Sequence, residues 1–122
     1  MQNISGNFIK VAVLFALVGM ALGIHMATSG NHDQHATHAH INLIGWVTLM
    51  LFGLFYKSHP EAGRNKLALA HFWLSTIGAI IVNVGVYLIY SGMPQGDPVA
   101  GIGSIIVILG MASFAVNVYK NA

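Results

Sequence analysis

The sequence holds 122 residues, 56% of them hydrophobic and 7% charged, with a formal net charge of +2 and no cysteine. A soluble domain needs roughly a quarter of its residues charged to cover its surface, so the medium around most of this chain is expected to be membrane lipid. The weak, scattered charge excludes nucleic-acid binding. The missing cysteines exclude disulfides, thiolate metal sites and cysteine nucleophiles.

A helix needs about 20 apolar residues to cross the hydrocarbon core. Four runs qualify, at residues 8–28, 36–56, 67–90 and 99–119. The first is longer than a signal-peptide core of about 7–15 residues and carries no A-x-A cleavage site, so it is read as a span. Turn and polar residues at 29–34, 57–64 and 91–98 separate the runs. The runs are too long for barrel strands, and a backbone in lipid must satisfy its own hydrogen bonds. The expected fold is therefore all-α, an integral membrane four-helix bundle forming a single domain over residues 1–122. Gly19 and Gly23 make a G-x-x-x-G pair, and Gly78 and Gly85 lie one heptad apart, so these faces are expected at helix interfaces whose partners the pattern does not name.

Four crossings place Lys10, Lys57, Arg64, Lys66 and Lys120, which are all the basic residues, on one side. The opposite loops hold Asp33 and Asp97 and no Lys or Arg. The positive-inside rule makes the basic side cytoplasmic, with both termini inside an inner (plasma) membrane. His32 and His35 then fall in the first outer loop, with His25, His38 and His40 about a turn deep on the same side. His59 and His71 belong to the cytoplasmic half.

Ionisable side chains inside a membrane helix are costly and usually functional, and neutral imidazole ligates metals and haem iron. A lone intramembrane histidine such as His59 or His71 is most simply hydrogen-bonded to a neighbouring helix, whereas five at one depth call for a shared reason. His38 and His40 are two apart, so on a helix they point roughly 200° away from each other and suit two different sites. His35 and His38 share a face. His32, His35 and His38 are thus candidate ligands for one Cu or Zn ion near the surface, with Asp33 as an oxygen donor; a solvated, pH-sensitive histidine turn is the alternative. His40 lies deeper, ahead of Ile41, Leu43, Ile44, Trp46 and Val47, which would give a porphyrin a dry wall. Without a C-x-x-C-H motif any haem is non-covalent, hence haem b. His71, Trp73 and Asn83 could line a polar path through the third helix, although core packing accounts for them more simply.

Acid–base and nucleophilic catalysis find little here. Asp33, Glu61 and Asp97 are the only carboxylates, and Glu61 lies across the membrane from the others. Ser75 and Thr76 lie near His71, but no carboxylate is placed to orient that imidazole in a triad. The glycines lie within apolar helices, not in phosphate-binding loops.

The run His38-Ala39-His40-Ile41-Asn42-Leu43-Ile44-Gly45-Trp46, followed by Gly53, Tyr56 and Pro60, resembles the tenth helix of the haem–copper oxidase catalytic subunit. The version in oxidases related to nitric oxide reductases is nearest. Leu69-Ala70-His71-Phe72-Trp73 with Gly78 resembles that subunit's eleventh helix, and Ser91-Gly92-Met93-Pro94 the loop after it. The resemblance covers about 85 residues; the first helix matches nothing specific. It implies that His38 ligates a high-spin haem or metal and His40 a low-spin haem. The full subunit is about four times longer and carries its copper ligands, cross-linked tyrosine and remaining haem ligand on helices this chain lacks, so one copy is not expected to assemble an oxygen-reducing centre. Its ligand-bearing helices recur every fourth in a quasi-threefold array. Three copies of this chain, a homotrimer, would imitate that array, with His40 and a neighbour's histidine clamping an interfacial haem; His25 is the competing axial partner within one chain.

The leading expectation is a haem b-binding, oxidase-like membrane protein, a homo-oligomer in electron transfer or redox sensing, served by a respiratory electron donor. The alternatives are a Cu- or Zn-binding membrane protein and a ligand-free accessory subunit of a respiratory complex.

Overall fold

The structure is a computed structural model that describes residues 3–122. It is all-helical among the described residues, with four helices long and apolar enough to cross a membrane: α1 (Ile4–Ser29), α2 (His35–Ser58), α3 (Lys66–Tyr90) and α4 (Gly96–Asn121). At 1.5 Å per residue, 26 residues reach about 39 Å, enough for the hydrocarbon core and part of the headgroup layer. Helices α1 and α3 begin ahead of their apolar runs, where asparagine side chains cap them. The Asn3 side chain accepts from Gly6 N–H at 2.9 Å and that of Asn65 from Ala68 N–H at 2.8 Å. Helix α1 ends on Gly30 at φ 71°, the left-handed conformation that glycine adopts without strain. A short 3₁₀ turn, Pro60–Arg64, links α2 to α3.

Glycines set the helix spacing. Gly85 meets the backbone of Ala100, Gly103 that of Val82, and Gly78 that of Val107, so α3 and α4 approach backbone to backbone. The α1 pair turns to α2 of the same chain: Gly19 receives Asn42 and Gly23 receives His38, while Gly45 and Gly53 of α2 take Phe15 and Ile9 in return. Ser5 Oγ donates to the Gly53 carbonyl at 2.9 Å across the same contact.

The core lies toward the end that carries the chain termini and Lys57, Arg64, Lys66 and Lys120, here the basic end. Phe8, Phe52, Tyr56, Phe72 and Phe114 pack there around the fully buried His71. Toward the other end the helices turn large apolar side chains outward, among them Leu17, Met20, Ile24, Ile102, Ile105 and Ile108, each more than half exposed. Water would not tolerate so continuous a patch; the chain is a multi-pass membrane protein.

A Cβ added at Gly85 would fall on the Ala100 backbone, which cannot yield by a rotamer change, whereas one at Gly101 meets nothing within 4 Å. Gly85→Ala is expected to cost about 1–3 kcal/mol, and Gly101→Ala to leave stability unchanged or raised. Unfolding in mixed detergent, followed by circular dichroism, measures both.

Candidate functional site

The histidine-rich turn is tied to α3 by the residue that precedes it. Gln34 Nε2 donates to Ser91 Oγ at 2.9 Å and to the Tyr87 carbonyl at 3.2 Å. Thr37, buried on α2, donates its hydroxyl back to Gln34 Oε1. Asn31 Oδ1 accepts from Asp33 N–H at 2.9 Å, which folds the loop on itself. The start of α2 is thereby held against the end of α3, and its histidines take different places.

His40 is half-buried, and its Nδ1 lies 2.8 Å from the Ala36 carbonyl one turn back. A carbonyl oxygen only accepts, so Nδ1 carries a proton, and in the neutral ring Nε2 keeps its lone pair. That is the form in which a histidine binds iron, with the second nitrogen oriented by a carbonyl. His38 packs instead on α1: a Cβ at Gly23 would come 3.0 Å from His38 Nε2. Its carbonyl accepts from Asn42 Nδ2 at 2.8 Å, and Asn42 sits over Gly19.

Directly after His40 the helix widens into a π-helical segment, Ile41–Val47. Such segments are rare and cluster at functional sites. Two side chains supply donors to backbone carbonyls where the register changes: Asn42 to His38, and Thr48 Oγ1 to Leu43 at 2.6 Å. Leu43 and Val47 leave this turn exposed, and Ile44 and Trp46 half-buried.

The remaining histidines stand apart. His32 is exposed, with Nδ1 3.2 Å from the Gly30 carbonyl, and His35 is exposed at the first turn of α2. Among the described residues no three His, Asp or Glu converge on a point that could hold a metal ion. The copper or zinc cluster expected from His32, His35 and His38 is therefore not assembled within one chain: one ring folds back on its own loop, one is exposed and one is packed on α1. His25 borders a different cavity of about 350 Å³ with Asp33, Tyr90 and Ser91, which neither His38 nor His40 lines.

A second polar constellation, invisible to motif reading, lies at the basic end. Tyr56 OH is 2.7 Å from His71 Nδ1, and Asn117 Nδ2 donates to Tyr56 OH at 3.2 Å and to the Ala62 carbonyl at 2.9 Å. Asn121 and Asn65 donate in turn to Asn117 Oδ1, at 2.7 and 3.3 Å. With the Tyr56 oxygen accepting from Asn117, its own proton is satisfied only if it goes to His71 Nδ1, which in a neutral ring leaves the imidazole proton on Nε2. That nitrogen has no polar partner; the Phe52 ring meets the imidazole at 4.4 Å and 74°, an arrangement that suits an N–H over a π-face. The group locks α2, α3 and α4 together. The polar path through His71, Trp73 and Asn83 does not form: Trp73 is 54% exposed on the outer surface, whereas His71 is sealed in the core.

Tyr56→Phe strands His71 Nδ1 in the core and leaves Asn117 Nδ2 with the Ala62 carbonyl alone, and is expected to cost about 1–3 kcal/mol. Tyr119→Phe, on a side chain that is 92% exposed, should cost nothing measurable. Parallel detergent unfolding of the two variants checks this.

Comparison with known proteins gives one distant relationship. The chain is 34% identical over 71 residues to cytochrome c oxidase subunit 1 of Rhodobacter capsulatus, an alignment covering 52% of this chain and 13% of that protein. No family model matches the chain, and no solved structure matches it. The chain spans about 13% of the length of the curated relative it matches, and it is a multi-pass membrane protein distantly similar to a haem–copper oxidase subunit.

Proposed function

We propose that this protein binds haem b at its histidine end through His40 and serves membrane electron transfer or redox sensing as a homotrimer. The observation that carries the reading is the 2.8 Å bond from His40 Nδ1 to the Ala36 carbonyl, which presents Nε2 as a neutral ligand atom at a half-buried position. The apolar π-helical turn that follows, with Leu43 and Val47 on its surface, supplies a water-excluding wall. A b-type haem bound there would supply a one-electron couple. The distant similarity to an oxidase subunit, and the H-x-H resemblance on α2, point to the same chemistry.

The second axial ligand comes from a neighbouring copy. His25 borders another cavity and His38 is engaged on Gly23, so neither is presented beside His40 in its own chain. A three-copy ring places α2 of each protomer where the large catalytic subunit has its recurring ligand helices. The basic end is cytoplasmic by the positive-inside rule, which puts the haem near the outer surface of the plasma membrane, within reach of an electron donor there.

Purified protein is expected to show a Soret band, with sharp α and β bands on reduction. His40→Ala should lower haem occupancy at least about tenfold, while His25→Ala retains it. Native mass spectrometry should find haem in trimers; a fully loaded monomer, or bound Cu or Zn in place of haem, would overturn the reading.

A further inference from the structure

Cavities open at both ends of the bundle, and their charges are opposite. The one of about 350 Å³ at the histidine end carries Asp33 and no Lys or Arg. The one at the basic end, of about 430 Å³, is set between the start of α1, the end of α2 and the 3₁₀ turn that follows. Lys57 and Arg64 line it, and both are exposed. The only ion pair among the described residues joins Arg64 to Glu61, which does not line the cavity, so the Lys57 ammonium has no counter-ion. An exposed pair of that kind holds Arg64 weakly, and a guanidinium has further N–H groups to offer. The backbone adds donors on the opposite wall. Here α1 begins, and the N–H groups of Ile4 and Ser5 have no acceptor within their own helix, whereas that of Gly6 is taken by Asn3. Ser5 gives its hydroxyl to the Gly53 carbonyl, which ties this wall to α2. Two cations facing the first turn of a 26-residue helix suit an anion with several oxygens.

The depth of the cavity names the anion. It lies at the ends of two membrane-spanning helices, where a bilayer keeps its phosphodiesters. A neighbouring copy fills it poorly, because its basic end brings Lys10, Lys66 and Lys120 against Lys57. A lipid head with no net charge leaves Lys57 unanswered. We propose that this cavity seats an anionic phospholipid of the phosphatidylglycerol class, in the leaflet at the basic end. The phosphodiester oxygens accept from Lys57 Nζ, from the Arg64 guanidinium and from the Ile4 and Ser5 N–H groups. Basic recesses beside membrane helices hold lipid heads in this way, and the volume suits one. The site lies at the far end of the bundle from His40 and needs no haem.

Native mass spectrometry tests this on the protein delipidated in a neutral detergent at about 0.15 M salt, where diffuse surface attraction is screened. Dioleoyl phosphatidylglycerol and dioleoyl phosphatidylcholine are titrated in separately. The first should bind saturably, one per chain, about tenfold more tightly than the second. Lys57→Gln combined with Arg64→Gln should bring the two lipids level. Lys10→Gln combined with Lys120→Gln removes the same charge from the same end outside the cavity, and should leave the preference standing. Millimolar inorganic phosphate should not displace the lipid. Equal binding of both lipids by the unaltered protein, an equal loss of preference in the Lys10 and Lys120 variant, or displacement by inorganic phosphate, the mark of a free-anion site, would overturn the assignment, whether or not the cavity variant folds.

Discussion

A polar group that enters a bilayer has to find its partner inside the protein, because lipid offers none and leaving it bare costs several kcal/mol. Most of this architecture follows from how the chain meets that demand. Helices absorb the backbone. Glycines bring helix pairs close enough for short side chains to bridge them, as Ser5 does to the Gly53 carbonyl. At the basic end the demand is met almost completely: Tyr56, His71, Asn117 and the Ala62 carbonyl form one connected set inside an aromatic shell. Such a set rigidifies when satisfied and destabilises when broken. It makes that end the anchored half of the bundle.

The histidine end answers differently. Its polar groups are held in place but not used up. His40 gives its proton to Ala36 and, in the neutral ring, keeps a lone pair; Asn83 gives one amide proton to Ala79, and its oxygen is buried without a partner. In both residues the helix's own carbonyl fixes the orientation, and at the half-buried His40 it aims the free nitrogen by local geometry alone. A side chain aimed this way is preorganised for a ligand and loses little freedom on meeting one. The π-helical turn after His40 belongs with these two. It requires side-chain donors from Asn42 and Thr48 where the ladder shifts, a cost that a helix needed only for spanning would have no reason to carry.

How much of this could be read from the sequence depended on distance along the chain. Four spans and their turns rest on runs of like residues, which composition reveals directly. The opposed faces of His38 and His40 follow from a spacing of two, and the structure engages the two rings in different places. Nearness in sequence is not nearness in space: His32, His35 and His38 span a loop and a helix start, and within one chain the His32 ring lies by the Gly30 carbonyl, His35 is exposed and His38 packs on α1. The G-x-x-x-G face could not name its partner, since α2 is chosen by the turn that brings it back. The Tyr56–His71–Asn117 group joins residues 15 and 61 positions apart, so no window could hold it. The π-helical turn was hidden for another reason: α and π turns are built from the same apolar residues, and only the unusual carbonyl partners of Asn42 and Thr48 distinguish them.

The contrast between the two ends also bears on why so short a chain would assemble. On the proposed reading the haem takes a histidine from each of two copies, and the glycine-paired helices have no room for it between them: Gly85 and Gly103 close α3 on α4, and Gly19 and Gly23 close α1 on α2. The proposed site lies instead on the outer face of α2 beside His40, against a surface that a second copy would cover. Association of membrane helices draws on packing and polar contacts, because lipid removes the hydrophobic drive. A ligand shared by two copies would supply what the apolar outer faces lack, so that haem binding and assembly become one equilibrium and each is lost with the other.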